Sequence, residues 1–158
     1  MQKITPFLWF NTQAEEATNH YVSIFKNSKV LKVNRMGAGG PMPAGTVMST
    51  EFSLEGQTFY ALNGGPMYAF TPAISLFVNC EDQKEVDQLW AKLIEGGGEE
   101  QPCGWLKDKF GLSWQIIPTI LPKLISDKDP KKAGAAMQAM FKMKKIDIAA
   151  LKKAHASA

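Results

Sequence analysis

The run 102-PCGWLKDKFGLSWQIIP-118 holds one cysteine, two tryptophans, a glutamine and a charged turn between apolar stretches. Two readings compete for it: a loop presenting reactive side chains, or the closing hairpin of a sheet. "GWLKDK" and "LSWQIIP" are short, aromatic and β-branched, and Asp108 suits the turn between them. "EEQPC" just before them makes a third strand candidate. Upstream, "EDQKEVDQLWAKLIEGGG" reads as a helix with Val86, Leu89, Trp90, Leu93 and Ile94 on one face and glycines 96–98 at its end. "AISLFVN", Ala73 to Asn79, precedes it as an apolar strand. The order is strand, helix, three strands, and the opening run closes it as a hairpin.

The first half repeats that order. "ITPFLWF", Ile4 to Phe10, reads as a strand, with Pro6 marking an edge or a start. "NTQAEEATNHYVSIF" reads as a helix opened by Asn11 or Thr12, with Glu15 placed to complete a capping box with Thr12. Its apolar face is Ala14, Ala17, Tyr21, Ile24 and Phe25. "SKVLKVNRM" is a half-exposed strand, and Gly37 to Gly45 is a flexible loop. "TVMSTEFSL" and "QTFYALN" are strands joined at Glu55-Gly56 by a tight hairpin. The helices superpose at an offset of 69 residues (Glu16 on Glu85, Tyr21 on Trp90) and the first strands at 68 (Phe10 on Val78). A period this long predicts an α+β fold of two βαβββ modules, residues 1–66 and 67–122. Two such modules can curve their sheets around a shared cleft. Residues 123–158 read as a helical tail, with Asp129 and Pro130 opening its central helix.

Charge is uneven along the 158 residues. Nine Lys/Arg oppose twelve Asp/Glu up to Pro122, and nine Lys oppose three Asp from Lys123 onward. A basic tail on an acidic body is a nucleic-acid signal, stronger with arginines and interleaved aromatics. The tail has neither, so solvated lysines on docked helices and no nucleic-acid partner are expected. No apolar run reaches the length of a membrane span, no leader-like segment opens the chain, and Cys80 and Cys103 form no paired motif. The expectation is a cytoplasmic chain with free thiols.

"ITPFLWFNTQAEEATNHYVSIF", "GQTFYALNGGP", "CEDQKEVDQLWAKLIEGGGEEQPCGWLKDKFGLSWQIIP" and "AMQAMFKMKKIDIAALKKA" together resemble the PhnB-like family. Its members often carry the label 3-demethylubiquinone-9 3-methyltransferase. The family is similar to glyoxalase I, extradiol dioxygenases and bleomycin-resistance proteins within the vicinal-oxygen-chelate superfamily. The resemblance runs through nearly the whole chain, tail included. It implies paired βαβββ modules, a homodimer, and a cleft built from both modules.

Enzymes of that superfamily hold a divalent metal with His, Glu or Gln from the first and last strands of each module. Carried onto this sequence, the ligand positions are Thr5, Ala61 or Asn63, Ala73 and Gln115. Gln115 has ligand capacity, and a lone amide does not hold such a metal. The histidines, His20 and His155, fall outside the cleft strands. The expectation is no metal and no cofactor. The methyltransferase label meets a similar difficulty. "GAGGPMPAG" precedes a strand, whereas a nucleoside cradle opens a helix.

Strand alternation leaves a cleft lined by Phe7, Trp9, Phe59, Asn63, Ser75, Phe77 and Gln115, with Trp105 and Phe110 closing one end. Glu51 is the carboxylate that points there if Met48, Thr50 and Phe52 pack on the helix. Aromatic walls with two amides suit a planar or amphipathic small molecule. No catalytic constellation is legible. Three readings follow: a metal-independent binder of an unidentified small molecule, an enzyme of the superfamily (a methyltransferase, or a metal-dependent lyase or isomerase), and a regulatory or nucleic-acid module using the tail.

Overall fold

The computed structural model describes residues 2–158. It has two four-stranded sheets of mixed topology with helices, an α+β fold, and divides into two compact units that meet in sequence at Phe70 and Thr71.

The first unit contains β1 (Phe7–Phe10), α1 (Ala14–Ile24), β2 (Lys29–Arg35), β3 (Val47–Leu54) and β4 (Gln57–Asn63). Its strand order is β1-β4-β3-β2, with β1 parallel to β4 and the other pairs antiparallel. The β3–β4 hairpin turns on Glu55 and Gly56, both at positive φ, as a right-twisted two-residue turn requires. Pairing of the first strand begins at the Pro6 carbonyl, which accepts from the Tyr60 N–H at 2.9 Å. Proline has no N–H to continue a ladder, so β1 starts after it, later than the strand expected from Ile4.

Helix α1 lies on one side of this sheet and buries Ala14, Ala17, Thr18, Tyr21 and Ile24. Below it Phe52 stacks on Phe59, ring centroids 5.5 Å apart, and the Thr18 and Thr50 hydroxyls meet at 2.6 Å. The expected Thr12–Glu15 capping box does not form. Gln13 is the cap residue and makes no side-chain bond. The first helical N–H, that of Ala14, instead donates to Asn63 Oδ1 at 2.8 Å, and Glu15 pairs with Arg35 at 2.6 Å. An acceptor at the end of β4 thus replaces a local cap.

The second unit has the same plan: β5 (Ser75–Cys80), α2 (Gln83–Ile94), β6 (Glu99–Glu100), β7 (Trp105–Lys107) and β8 (Ser113–Pro118), ordered β5-β8-β7-β6 with β5 parallel to β8. Here a side-chain cap does form, close to a capping box but with the return bond one residue earlier. Asp82 accepts from the Glu85 N–H at 2.8 Å, and Glu85 accepts from the Glu81 N–H at 2.7 Å. The buried face of α2 is Val86, Leu89, Trp90 and Leu93.

The tail forms α3 (Ile120–Ile125), α4 (Pro130–Phe141) and α5 (Ile148–Ala156). These helices pack around Leu121, Leu124, Ala136, Ile146 and Leu151 together with Ile117 of β8, and so belong to the core of the second unit. Among the described residues no helix is long and apolar enough to cross a membrane.

Candidate functional site

Each sheet has a face turned away from its helix. In the second unit, alternation and register place Ser75, Phe77, Trp105 and Gln115 together on that face. Gln115 of β8 lies directly between Phe77 of β5 and Trp105 of β7. Its Nε2 donates to Ser75 Oγ at 2.9 Å, so one end of the amide is held by a neighbour on the same face. Phe77 is 50% exposed, high for a phenylalanine in a strand. Ser113, two positions before Gln115, is fully buried and its hydroxyl has no hydrogen-bond partner among the described residues.

In the first unit the face away from α1 carries Phe7 and Trp9 of β1, Tyr60 and Leu62 of β4, and Ser49 and Glu51 of β3. Phe7 is 59% exposed and its ring lies 5.8 Å from that of Tyr60. Trp9 sits over Gly64, where a Cβ would fall 2.3 Å from the indole. Its Nε1 donates to the Gly65 carbonyl at 3.0 Å, and its ring meets Tyr68 edge-on at 5.0 Å. Glu51 stands in register between Tyr60 and Lys32, while Thr50 and Phe52 are buried under the helix.

Two expected site residues lie on the other side. Phe59 is buried against Phe52 on the helix side of the sheet. Asn63 shares that side: its Oδ1 takes the Ala14 N–H and its Nδ2 donates to the Val47 carbonyl at 3.1 Å. The phase of β4 is therefore one residue off the expected one. The physical reason is side-chain fit. Phe59 and Ala61 are fully apolar and fill the space under a helix lined by alanines, whereas Tyr60 keeps its hydroxyl near water. Tyr60 is the residue this phase error concealed, and Tyr68 lay in a connector that strand alternation does not reach.

The remaining groups of the opening run are structural. Asp108 is buried and accepts from the Phe110 and Leu112 N–H groups and from Trp114 Nε1. Phe110 sits in that turn beneath the Lys109 ammonium, 5.1 Å from the ring centre. Cys103 adopts φ 61° next to Gly104 at φ 81°, a left-handed pair that costs a non-glycine residue about 1–2 kcal/mol. Cys80 is buried, and that burial, aided by Glu85 and Asp82, pushes its thiol up to about 12.

The residues present do not fit the divalent metal of the superfamily. Thr5, Ala61 and Ala73 bring no imidazole or carboxylate, the Asn63 amide is spent on the start of α1, and the Gln115 amide is tied to Ser75. No group of three His, Cys, Asp or Glu among the described residues is placed to hold a metal. Nor does the glycine-rich stretch fit a nucleoside. Residues 37–45 are the far end of the β2–β3 hairpin, closed by Met36 N–H to Thr46 O at 2.7 Å and Gly45 N–H to Met36 O at 2.8 Å. A separate groove of about 550 Å³ in the second unit is lined by Glu81, Gln83, Thr119, Lys123, Asp147 and Lys152 among others, and none of the sheet-face residues borders it.

Comparison with known proteins places the chain. No curated protein matches it. The PhnB protein from Bacillus cereus is 38% identical, over 75% of this chain and all of that one, with a TM-score of 0.69. Protein PA1353 from Pseudomonas aeruginosa shares the fold at 22% identity and a TM-score of 0.62, over 75% of this chain and 98% of its own. Structural neighbours also include a glyoxalase/bleomycin resistance protein/dioxygenase domain from Frankia sp. EAN1pec, 14% identical over 75% of this chain and 92% of that one, at a TM-score of 0.45. That score is too low to add to the assignment. The profile of the family described as 3-demethylubiquinone-9 3-methyltransferase matches residues 2–117. It ends one residue before the close of β8, so the likeness drawn above from the tail is not carried by it. With both modules matched, the chain belongs to the 3-demethylubiquinone-9 3-methyltransferase family.

Proposed function

We propose that the protein binds a small planar molecule on the face that carries Phe77, Gln115 and Trp105, without a protein-held metal. The observation that carries this is the Gln115 amide, fixed by Ser75 and flanked in register by two aromatic side chains. Aromatic walls supply apolar and stacking contact, and a pre-oriented amide supplies one donor and one acceptor. The family's description names a quinone, and a quinone or hydroquinone ring has the planarity and paired oxygens this face suits. A second copy of the chain, forming a homodimer, covers aromatic groups as exposed as Phe7.

The test is a thermal-shift panel on the purified protein with 1,4-naphthoquinone, S-adenosylmethionine and divalent metals, alongside metal analysis. Naphthoquinone is expected to raise the Tm, and Phe77→Ala and Gln115→Leu to abolish the rise. A stoichiometric bound metal, or a Tm unmoved by naphthoquinone, sinks this reading. Stabilisation by S-adenosylmethionine alone favours methyl transfer instead.

A further inference from the structure

The tail lies beyond the family's matched span, yet it is fastened to Cys103 and Gly104, which directly precede the in-register neighbour of Gln115, Trp105. The 3-10 turn Pro102–Gly104 leads directly into Trp105. Its two left-handed residues, Cys103 and Gly104, donate their N–H groups to the Met143 and Lys144 carbonyls at 2.9 and 2.8 Å. Gly104 also packs so closely that a Cβ there would fall 2.7 Å from Ile117 and 3.1 Å from Ile146. The tail segment is in turn held from α2. Gln83 Nε2 donates to the Ile146 carbonyl at 2.9 Å, and Gln83 Oε1 accepts from the Ile148 N–H at 2.8 Å. Lys145 pairs with Asp87 at 2.8 Å.

We propose that the segment from Met143 to Ile148 is a positioning strap for Trp105, with Gln83 as the positioning residue that fastens it. The inference rests on the ligand reading of the Gln115 face. A non-glycine residue in left-handed conformation persists only where its surroundings over-determine it. Here the determinants are the two backbone bonds from the tail and the Ile146 contact. Trp105 follows the strained pair immediately, so these bonds share its placement with the β7–β8 pairing and with the Gln101 N–H, which donates to the Trp105 carbonyl at 2.9 Å. Release of the strap frees Cys103 to relax and lets Trp105 leave its place beside Gln115. The tail thereby controls one wall of the ligand face without contributing a side chain to it.

The experiment follows the indole N–H resonances of Trp9, Trp90, Trp105 and Trp114 in the 15N-labelled full chain. Gln83→Ala is expected to shift or broaden the Trp105 signal. The other three indoles, bonded to Gly65, Glu100 and Asp108, should stay in place. Naphthoquinone affinity should fall about tenfold, and Gln83→Glu, which keeps the acceptor for Ile148, should restore part of it. A Trp105 signal unmoved by Gln83→Ala overturns the proposal. If that variant fails to fold, amide exchange in the unaltered protein decides. Cys103, Gly104 and Ile148 should exchange as one unit, and rates about tenfold or more apart overturn the strap. A Trp105 shift in a protein that never bound naphthoquinone upholds the strap and removes the ligand reading.

Discussion

Trp114 Nε1 donates to Asp108 Oδ2 at 2.8 Å, and both residues are buried, at 2% and 1% exposure. Asp108 Oδ1 takes two further backbone N–H groups from its own turn, at 2.9 and 3.0 Å. One carboxylate thus ties the turn between β7 and β8 to the strand that carries Gln115. Asp108→Ala leaves two buried donors and one part-buried donor without that acceptor and is expected to cost about 3 kcal/mol. Urea unfolding measures it; a loss below about 1 kcal/mol would show that the turn holds without the carboxylate.

The Thr18–Thr50 hydroxyl pair fastens α1 to β3 at 2.6 Å with both residues buried. Thr18→Val or Thr50→Val alone strands one hydroxyl and should cost about 1–2 kcal/mol. The double substitution removes both polar groups and should cost less than the sum of the singles. Additive losses in the double-mutant cycle would mean that the two hydroxyls act independently.

The thiols should separate cleanly. Cys80, pushed up to about 12, carries a thiolate fraction near ~10⁻⁴ at pH 8 and is shielded by burial as well. Cys103 is half-buried. Iodoacetamide on the native protein should alkylate Cys103 and spare Cys80 until denaturant is added. Peptide mass spectrometry reads the outcome, and native labelling of Cys80 would contradict it.

Two tail anchors predict an acid limb. The hydrogen bond from Lys145, then that from Gln83, holds the Asp87 carboxyl below its ordinary value of 3.8. The Asp129 N–H, then His155, does the same for Asp127. A carboxyl whose folded pKa is depressed contributes stability above its unfolded value and loses it as pH falls through the folded one. The contribution is therefore complete at neutral pH and fades below about pH 4. Both groups face solvent, so the effect is small and screened by salt. Asp87→Asn with Asp127→Asn should flatten the fall in Tm between about pH 4 and 2. An unchanged slope would place the acid sensitivity elsewhere.

Much of this architecture was legible because the two halves repeat the same order of patterns. The buried positions of α1 and α2 follow from helical spacing, and the Glu55-Gly56 turn from its need for positive φ. In the second unit, alternation put Ser75, Phe77, Trp105 and Gln115 on one face. In the first it failed at β4. "TFYALN" offers aromatic residues in both phases, and the deciding factor is the alanine-lined helix above Phe59 and Ala61, which no local pattern reveals. Asn63 went wrong for a related reason. An asparagine near an apolar run looks like a ligand group, but the unmet N–H of Ala14 lies 49 residues away in sequence. The hold of the tail on Cys103 and Gly104 is equally non-local, made of backbone bonds that leave no side-chain signature.

The parallel pairing of first and last strands also orders the folding of the chain. Hairpins such as β3–β4 and β7–β8 form locally and fast, whereas β1 and β5 must return from far along the chain to reach β4 and β8. Leu8 meets Ala61 and Leu76 meets Trp114, and these two spans differ in closure entropy by only about 0.3 kcal/mol. Strand length separates them more, because β5 gains six paired positions on docking and β1 gains four. The second unit is thus expected to seal its sheet ahead of the first, leaving β1 the last strand in when the protein folds and the first to open when it unfolds.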